Sequence, residues 1–251
     1  MRQFADDLNL GDLNFDQRKV FILKPDVNIN LWSPKAGDNA IMILPFIKEV
    51  DVFKEDVFKK FGIAIWYHRS IPPYGNSYVC PLKMLNKKVA VCPYCEKYFE
   101  LEDWEEKKVY KLNLRGAIWV LDVSTEEEKA KGVQLWLFGN AKETFSAIWE
   151  SFIDPETKQV HNIFKEPRVI YFKGEETGEG QFKHIKIVTP RLGSKVYPRS
   201  VIEQYFDQIR PFSEILAFAE EEEDDVVVEE DKELGLTEEL ESTDDVDDVP
   251  F

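Results

Sequence analysis

Ile63-Ala64-Ile65-Trp66-Tyr67-His68, then Cys80, then Cys92-Pro93-Tyr94-Cys95, is the stretch on which the reading of this chain turns. The apolar run ahead of His68 has strand character and ends on an imidazole. A two-residue spacer lets both sulfurs of a C-x-x-C face one ion from a tight knuckle, and sets of four thiolate and imidazole ligands are the usual solution for structural zinc. Eleven residues separate His68 from Cys80, and eleven separate Cys80 from Cys92. All three cysteines then have a use, whereas an odd number cannot be consumed by disulfides. One tetrahedral zinc on His68, Cys80, Cys92 and Cys95 is the expectation. Four protein ligands leave no open position for water or substrate, so the ion is expected to be structural and to fix residues 69–91.

The same four residues Cys92-Pro93-Tyr94-Cys95 also match the active-site motif of glutaredoxins, which makes a thiol–disulfide redox protein the main rival. Glutaredoxins carry that motif near the start of a thioredoxin-like βαβ fold. Here it sits near position 92 among hairpin signals.

Outward from this stretch, residues 27–32 and 39–44 read as two strands of a hairpin across the turn-like 34–38. Tyr98, Phe99, Leu101 and Trp104 lie among charges between 95 and 108, which suggests a short amphipathic helix leaving the knuckle. Residues 109–123 and 133–138 read as an antiparallel pair across the charged turn 124–132. Asn140 and Glu143 have the spacing of a helix cap with a reciprocal partner, and Phe145, Ile148, Trp149, Phe152 and Ile153 repeat at helical spacing. A third hairpin is expected from 168–173 and 181–188, and a second helix from 199 to 210. Many short strands with a few helices suit a small, elaborated β-barrel better than a parallel α/β sheet. The fold class expected is therefore mainly β with helices, α+β.

The formal net charge of −16 is distributed unevenly. Residues 220–251 hold 17 acidic side chains and one Lys, leaving 31 of each sign in residues 1–219. The body is neutral, so the acidic total does not argue against a polyanionic partner. Residues 1–219 are expected to form the folded core, with a metal-bearing part at about 63–108. Residues 220–251 are expected to be a disordered tail, because they have too little apolar surface to offset chain entropy. No apolar run approaches the roughly 18 residues of a membrane span, and the N-terminus lacks a signal-peptide pattern. A cytoplasmic protein with no membrane partner is expected. No nucleophile–base pair, phosphate-cradling glycine loop or open metal site is evident, so the chain does not read as an enzyme.

Cations and aromatics interleave around the knuckle, from Trp66 to Trp119. Single-stranded nucleic acid is held in this manner, with bases stacked on aromatic faces and phosphates tracked by Lys and Arg. The order strand, His68, loop, Cys80, Cys92-x-x-Cys95 resembles the zinc-containing single-stranded-DNA-binding proteins of T-even-type phages. So does the downstream order of strand, charged turn, strand, helix and hairpin over residues 25–210. The resemblance implies an OB-fold barrel with an inserted zinc subdomain beside a DNA cleft, and it makes Arg69, Tyr74, Lys87, Tyr98, Tyr110, Lys111, Arg115 and Trp119 the candidate DNA contacts. The basic N-terminal arm of that family has no counterpart, since residues 1–15 hold one Arg against Asp6, Asp7 and Asp12.

The chain ends Asp247-Asp248-Val249-Pro250-Phe251, which resembles the acidic tip of bacterial single-stranded-DNA-binding proteins. That resemblance implies docking on replication and repair proteins: a polymerase, helicase, primase or recombination mediator. A terminal Phe ring would fill an apolar pocket while aspartates steer the approach. A zinc-stabilised adaptor that binds only proteins is the remaining alternative.

Overall fold

The computed structural model describes residues 22–24, 27–45, 61–71, 76–84, 91–178 and 184–219. In chain order the elements are β1 (Leu31–Trp32), β2 (Gly37–Leu44), β3 (Ile63–Ile71), β4 (Asn76–Val79), α1 (Pro81–Met84), α2 (Pro93–Glu100), α3 (Trp104–Val109) and β5 (Leu112–Asp122). They continue with α4 (Glu126–Ala130), β6 (Gln134–Phe138), α5 (Ala141–Ser151), β7 (Ile170–Thr177), β8 (His184–Leu192), α6 (Ser200–Glu203) and α7 (Phe212–Ile215). The fold is mixed α+β. No described helix is long and apolar enough to cross a membrane.

β5 organises the sheet because its sequence allows burial on both faces. Gly116-Ala117-Ile118-Trp119-Val120-Leu121-Asp122 is buried throughout, the pattern of a central strand. One edge of β5 is shared: β3 covers Leu112–Ala117 and β2 covers Trp119–Asp122, both antiparallel. The other edge takes β6 antiparallel over Gly116–Val120. Gly116 is required there, since a Cβ would lie 2.1 Å from the Phe138 ring. The path across the sheet runs β1-β6-β5-β2-β7-β8, with β4 on the far side of β3. α5 packs against both β5 and β8. Among the described residues no ladder joins β8 to β1 or β6.

The hairpin expected between 27–32 and 39–44 does not form. β1 is only Leu31–Trp32 and runs parallel to β6, while β2 pairs with β5 and β7. The cause is Trp32. Its indole N–H donates to the buried Asp122 Oδ2 at 2.8 Å, and its ring packs edge-on against Trp136 at 4.9 Å and Phe172 at 6.2 Å. The Ser124 amide and hydroxyl satisfy Asp122 Oδ1 at 2.9 and 2.6 Å. Asn39 folds the intervening turn by accepting from the Lys35 amide and donating to the Lys35 and Gly37 carbonyls, with Gly37 at φ +90°.

Three further expectations are corrected in detail. The single helix after the knuckle is two, because Asp103 accepts from the amides of Glu105 and Glu106 and starts α3 afresh. α5 forms, but Asn140 sits in the left-handed region at φ 47° with no side-chain cap bond, so the reciprocal cap with Glu143 is absent. The helix expected over 199–210 breaks into α6, a 3-10 turn at Phe206–Gln208 and extended Ile209, which keeps Ile202 and Ile209 both buried. The antiparallel β5–β6 and β7–β8 pairs form as expected. The disordered tail expected at 220–251 lies outside the described residues.

Candidate metal centre

The four sequence-predicted ligands come together. The Nε2 or Nδ1 of His68 and the Sγ atoms of Cys80, Cys92 and Cys95 all lie within 4.8 Å of one another, and all four residues are buried. Each reaches the cluster by a different local device. His68 lies in β3 between Leu112 of β5 and Tyr78 of β4, so ladders on both sides fix its backbone. Cys80 follows β4 directly; its amide donates to the Trp66 carbonyl at 2.8 Å, and its own carbonyl accepts from Met84 at 3.1 Å, opening α1. Cys92 is the extended N-cap of α2, with Pro93 in the first helical position where a missing N–H costs nothing. Cys95 is then one turn in, on the side of the helix that faces Cys92.

The separations suit one tetrahedral ion. Ligand bonds of about 2.3 Å to sulfur and about 2.05 Å to nitrogen give tetrahedral edges of about 3.8 Å for S···S and about 3.6 Å for S···N. Cys80 Sγ lies 3.6 Å from Cys95 Sγ, and His68 Nε2 lies 3.2 Å from Cys92 Sγ and 3.6 Å from Cys95 Sγ. The tautomer is also set. His68 Nδ1 is 2.8 Å from the Tyr110 carbonyl oxygen, which can only accept. Nδ1 therefore carries the proton and the Nε2 lone pair faces the sulfurs, the outer hydrogen bond that metal-bound imidazoles make.

Without an ion the Cys92 and Cys95 sulfurs hold their protons. Cys92 is pushed up to about 12, first by its hydrogen bond to Cys80 and then by burial, and Cys95 to about 11, first by burial. Cys80 is lowered, chiefly because the Cys92 thiol donates to it. Three buried sulfurs and one oriented nitrogen, with no carboxylate among them, can hold a thiophilic cation. They offer no exposed thiolate to a disulfide substrate.

Tyrosines wall the cluster. The Tyr94 ring, between the two knuckle cysteines, lies 5.5 Å from the His68 ring, 5.6 Å from Tyr78 and 6.4 Å from Tyr110, nearly parallel to the last. Ala219 closes the cluster from the C-terminal end of the folded body. Neither the Tyr110 carbonyl nor Ala219 has a sequence signature. One acts through its main chain and the other through its small size.

The candidate DNA contacts are scattered in environment. Arg69 and Lys111 are exposed. Tyr110 is half-buried against Tyr94, and Tyr98 is half-buried with its ring 5.6 Å from Phe99 and the Lys107 ammonium 5.5 Å from its centre. Arg115 donates to the Tyr67 hydroxyl at 3.3 Å and lies 5.5 Å from that ring. Trp119 is corrected: it is 2 % exposed and stacked on Phe212 at 6.0 Å, so its face is not open to a base. Tyr74, Lys87 and the tip Asp247, Asp248, Val249, Pro250 and Phe251 lie outside the described residues. Phe99 at 76 % and Trp104 at 54 % are the most exposed large aromatics among the described residues and stand outside the candidate set. No protein-family model matches the chain, and no curated protein sequence matches it.

Proposed function

We propose that the chain is a sequence-nonspecific single-stranded-DNA-binding protein of replication, recombination and repair, built on an OB-type barrel with one structural zinc. The observation that carries the reading is the closed four-donor cluster with Arg69, Tyr98, Tyr110, Lys111 and Arg115 on the elements around it. A coordinatively complete ion does no chemistry, and its work is to hold β3, the end of β4 and α2 in one arrangement. Stacking rings and phosphate-binding cations set on that arrangement need no particular base. Zinc is favoured by three thiolates and an imidazole at tetrahedral spacing.

The barrel reading is supported by the order β6-β5-β2-β7-β8 with α5 between β6 and β7, the order of a five-stranded Greek-key barrel opened along one seam. On that reading the metal-bearing segment fills the connection between the first two barrel strands, β2 and β5. The acidic tip at 247–251 would recruit replication and repair proteins. Burial of the thiols and the raised Cys92 and Cys95 argue against redox catalysis, which needs an accessible thiolate.

One observation favours a second reading. Phe99 and Trp104 are exposed among Glu96, Glu100, Glu102, Asp103, Glu105 and Glu106, a surface that repels phosphate and suits a protein partner. Fluorescent oligonucleotides decide between the two. Single strands are expected to bind and duplexes of the same length to bind far more weakly; no binding of single strands leaves the adaptor. Cys92→Ser should release the metal and weaken oligonucleotide binding, and unchanged affinity would show that the metal does not shape the strand-binding surface.

A further inference from the structure

The folded body does not end at its surface. Lys24 donates its amide to Ile215 O at 2.9 Å, and Ala217 donates to Ile22 O at 3.0 Å. On the other side Val79 donates to Ala217 O at 2.7 Å, and Ala219 donates to Val79 O at 3.0 Å. Residues 216–219, which follow α7, thus lie as an extended strip, bridged antiparallel to Leu23 and parallel to Val79 at the end of β4. Leu216 and Ala219 are both buried.

Val79 commits both its main-chain groups to this strip, and the next residue is Cys80. Cys80 carries one of the four metal donors, and its amide is tied to Trp66, two residues before His68. Ala219 belongs to the same buried cluster as Cys80, Cys92 and Cys95. The strip and the metal donors therefore share one dipeptide and one buried surface. Immediately after Ala219 the sequence becomes Glu220-Glu221-Glu222-Glu223-Asp224-Asp225.

We propose that metal occupancy and the docking of residues 217–219 are coupled, so that the ion fixes the point from which the acidic C-terminal segment leaves the body. An ion on all four donors joins Cys80 to α2 and β3 and so holds Val79 and the surface under Ala219. Free thiols join the end of β4 to α2 only through the weak hydrogen bonds that Cys92 and Cys95 share with Cys80. Coupling is reciprocal, so undocking the strip must loosen the ion by the same factor. The inference rests on the cluster's being a metal site.

Metal content and amide exchange of the full chain test it. If the purified chain takes up no zinc at micromolar concentration, the metal reading itself fails. Given one zinc per chain, chelation should speed exchange at the Val79 and Ala219 amides at least tenfold while the β5–β6 ladder keeps its protection. Unchanged exchange at Val79 and Ala219 overturns the coupling. Where chelation unfolds the whole sheet, Ala219→Glu decides, since it keeps all four ligands. It should hasten zinc loss to a chelator about tenfold, beyond an Ile148→Val control, which trims a buried side chain of α5. Loss no faster than in that control overturns the proposal.

Discussion

The Nδ1 of His68 illustrates how much one main-chain atom decides. Because the Tyr110 carbonyl accepts a hydrogen bond from the Nδ1–H, Nε2 faces Cys92 and Cys95 as a lone pair. The thiols then supply the charge, and they must lose protons to do so. Cys92 at about 12 and Cys95 at about 11 are protonated at neutral pH when no ion is bound, so an incoming ion displaces at least these two protons. Metal affinity should therefore fall about a hundredfold or more for each unit of acidification near neutrality, measurable by competition with a chelator at several pH values. The metal-free fold has the opposite sign. Its raised Cys92 and Cys95 stay protonated while the unfolded chain ionises above the ordinary value of 9.0, so their contribution to stability is full below about pH 9 and is lost as pH rises toward 12. Urea melts of the metal-free protein from pH 7 to 11 check this; a midpoint that rises with pH would contradict it.

Among the elements, β1 is the shortest and the most dependent on one contact. Asp122→Ala should leave the Trp32 indole N–H and the Ser124 hydroxyl without their acceptor and cost about 2–3 kcal/mol of stability. Thermal melting would read it, and a change within about 0.5 kcal/mol would show that β1 is held by ring packing alone. The knuckle, β5, β6, α5 and the β7–β8 pair were legible in the sequence, because each carries its own pattern: ligand spacing, a continuous apolar run, helical periodicity or a glycine-rich turn. The partner of β1 was not. Alternation in 27–32 speaks of a strand but not of its neighbour, and the neighbour was chosen by a carboxylate 90 residues away. For the same reason the ligands could be named from spacing while Ala219 could not, and Trp119 looked like a platform until Phe212 covered it. An aromatic on a strand has the same letter whether its face meets a base or the core.

At the scale of the whole molecule, the charge is divided between a neutral body and the terminal 32 residues. On the proposed function, the carboxylates of residues 220–251 would compete with phosphates for the same cations. Removing residues 220–251 should raise affinity for a single-stranded oligonucleotide at low salt, and the gain should shrink as salt screens both interactions. Unchanged or weaker binding by the shortened chain in low-salt titrations would exclude this competition.

β2 and β3 share one edge of β5, so the segment that carries His68, Cys80, Cys92 and Cys95 is part of the sheet itself. A finger that could be clipped out would leave a closed surface behind it. Excision of residues 61–111 would instead bare the main-chain donors and acceptors of Leu112–Ala117 along the longest strand of the protein. Such a raw border invites any passing strand to pair with it. The segment around the four clustered side chains is thus a hem on the sheet, and an ion held there would be the stitch that keeps it from fraying.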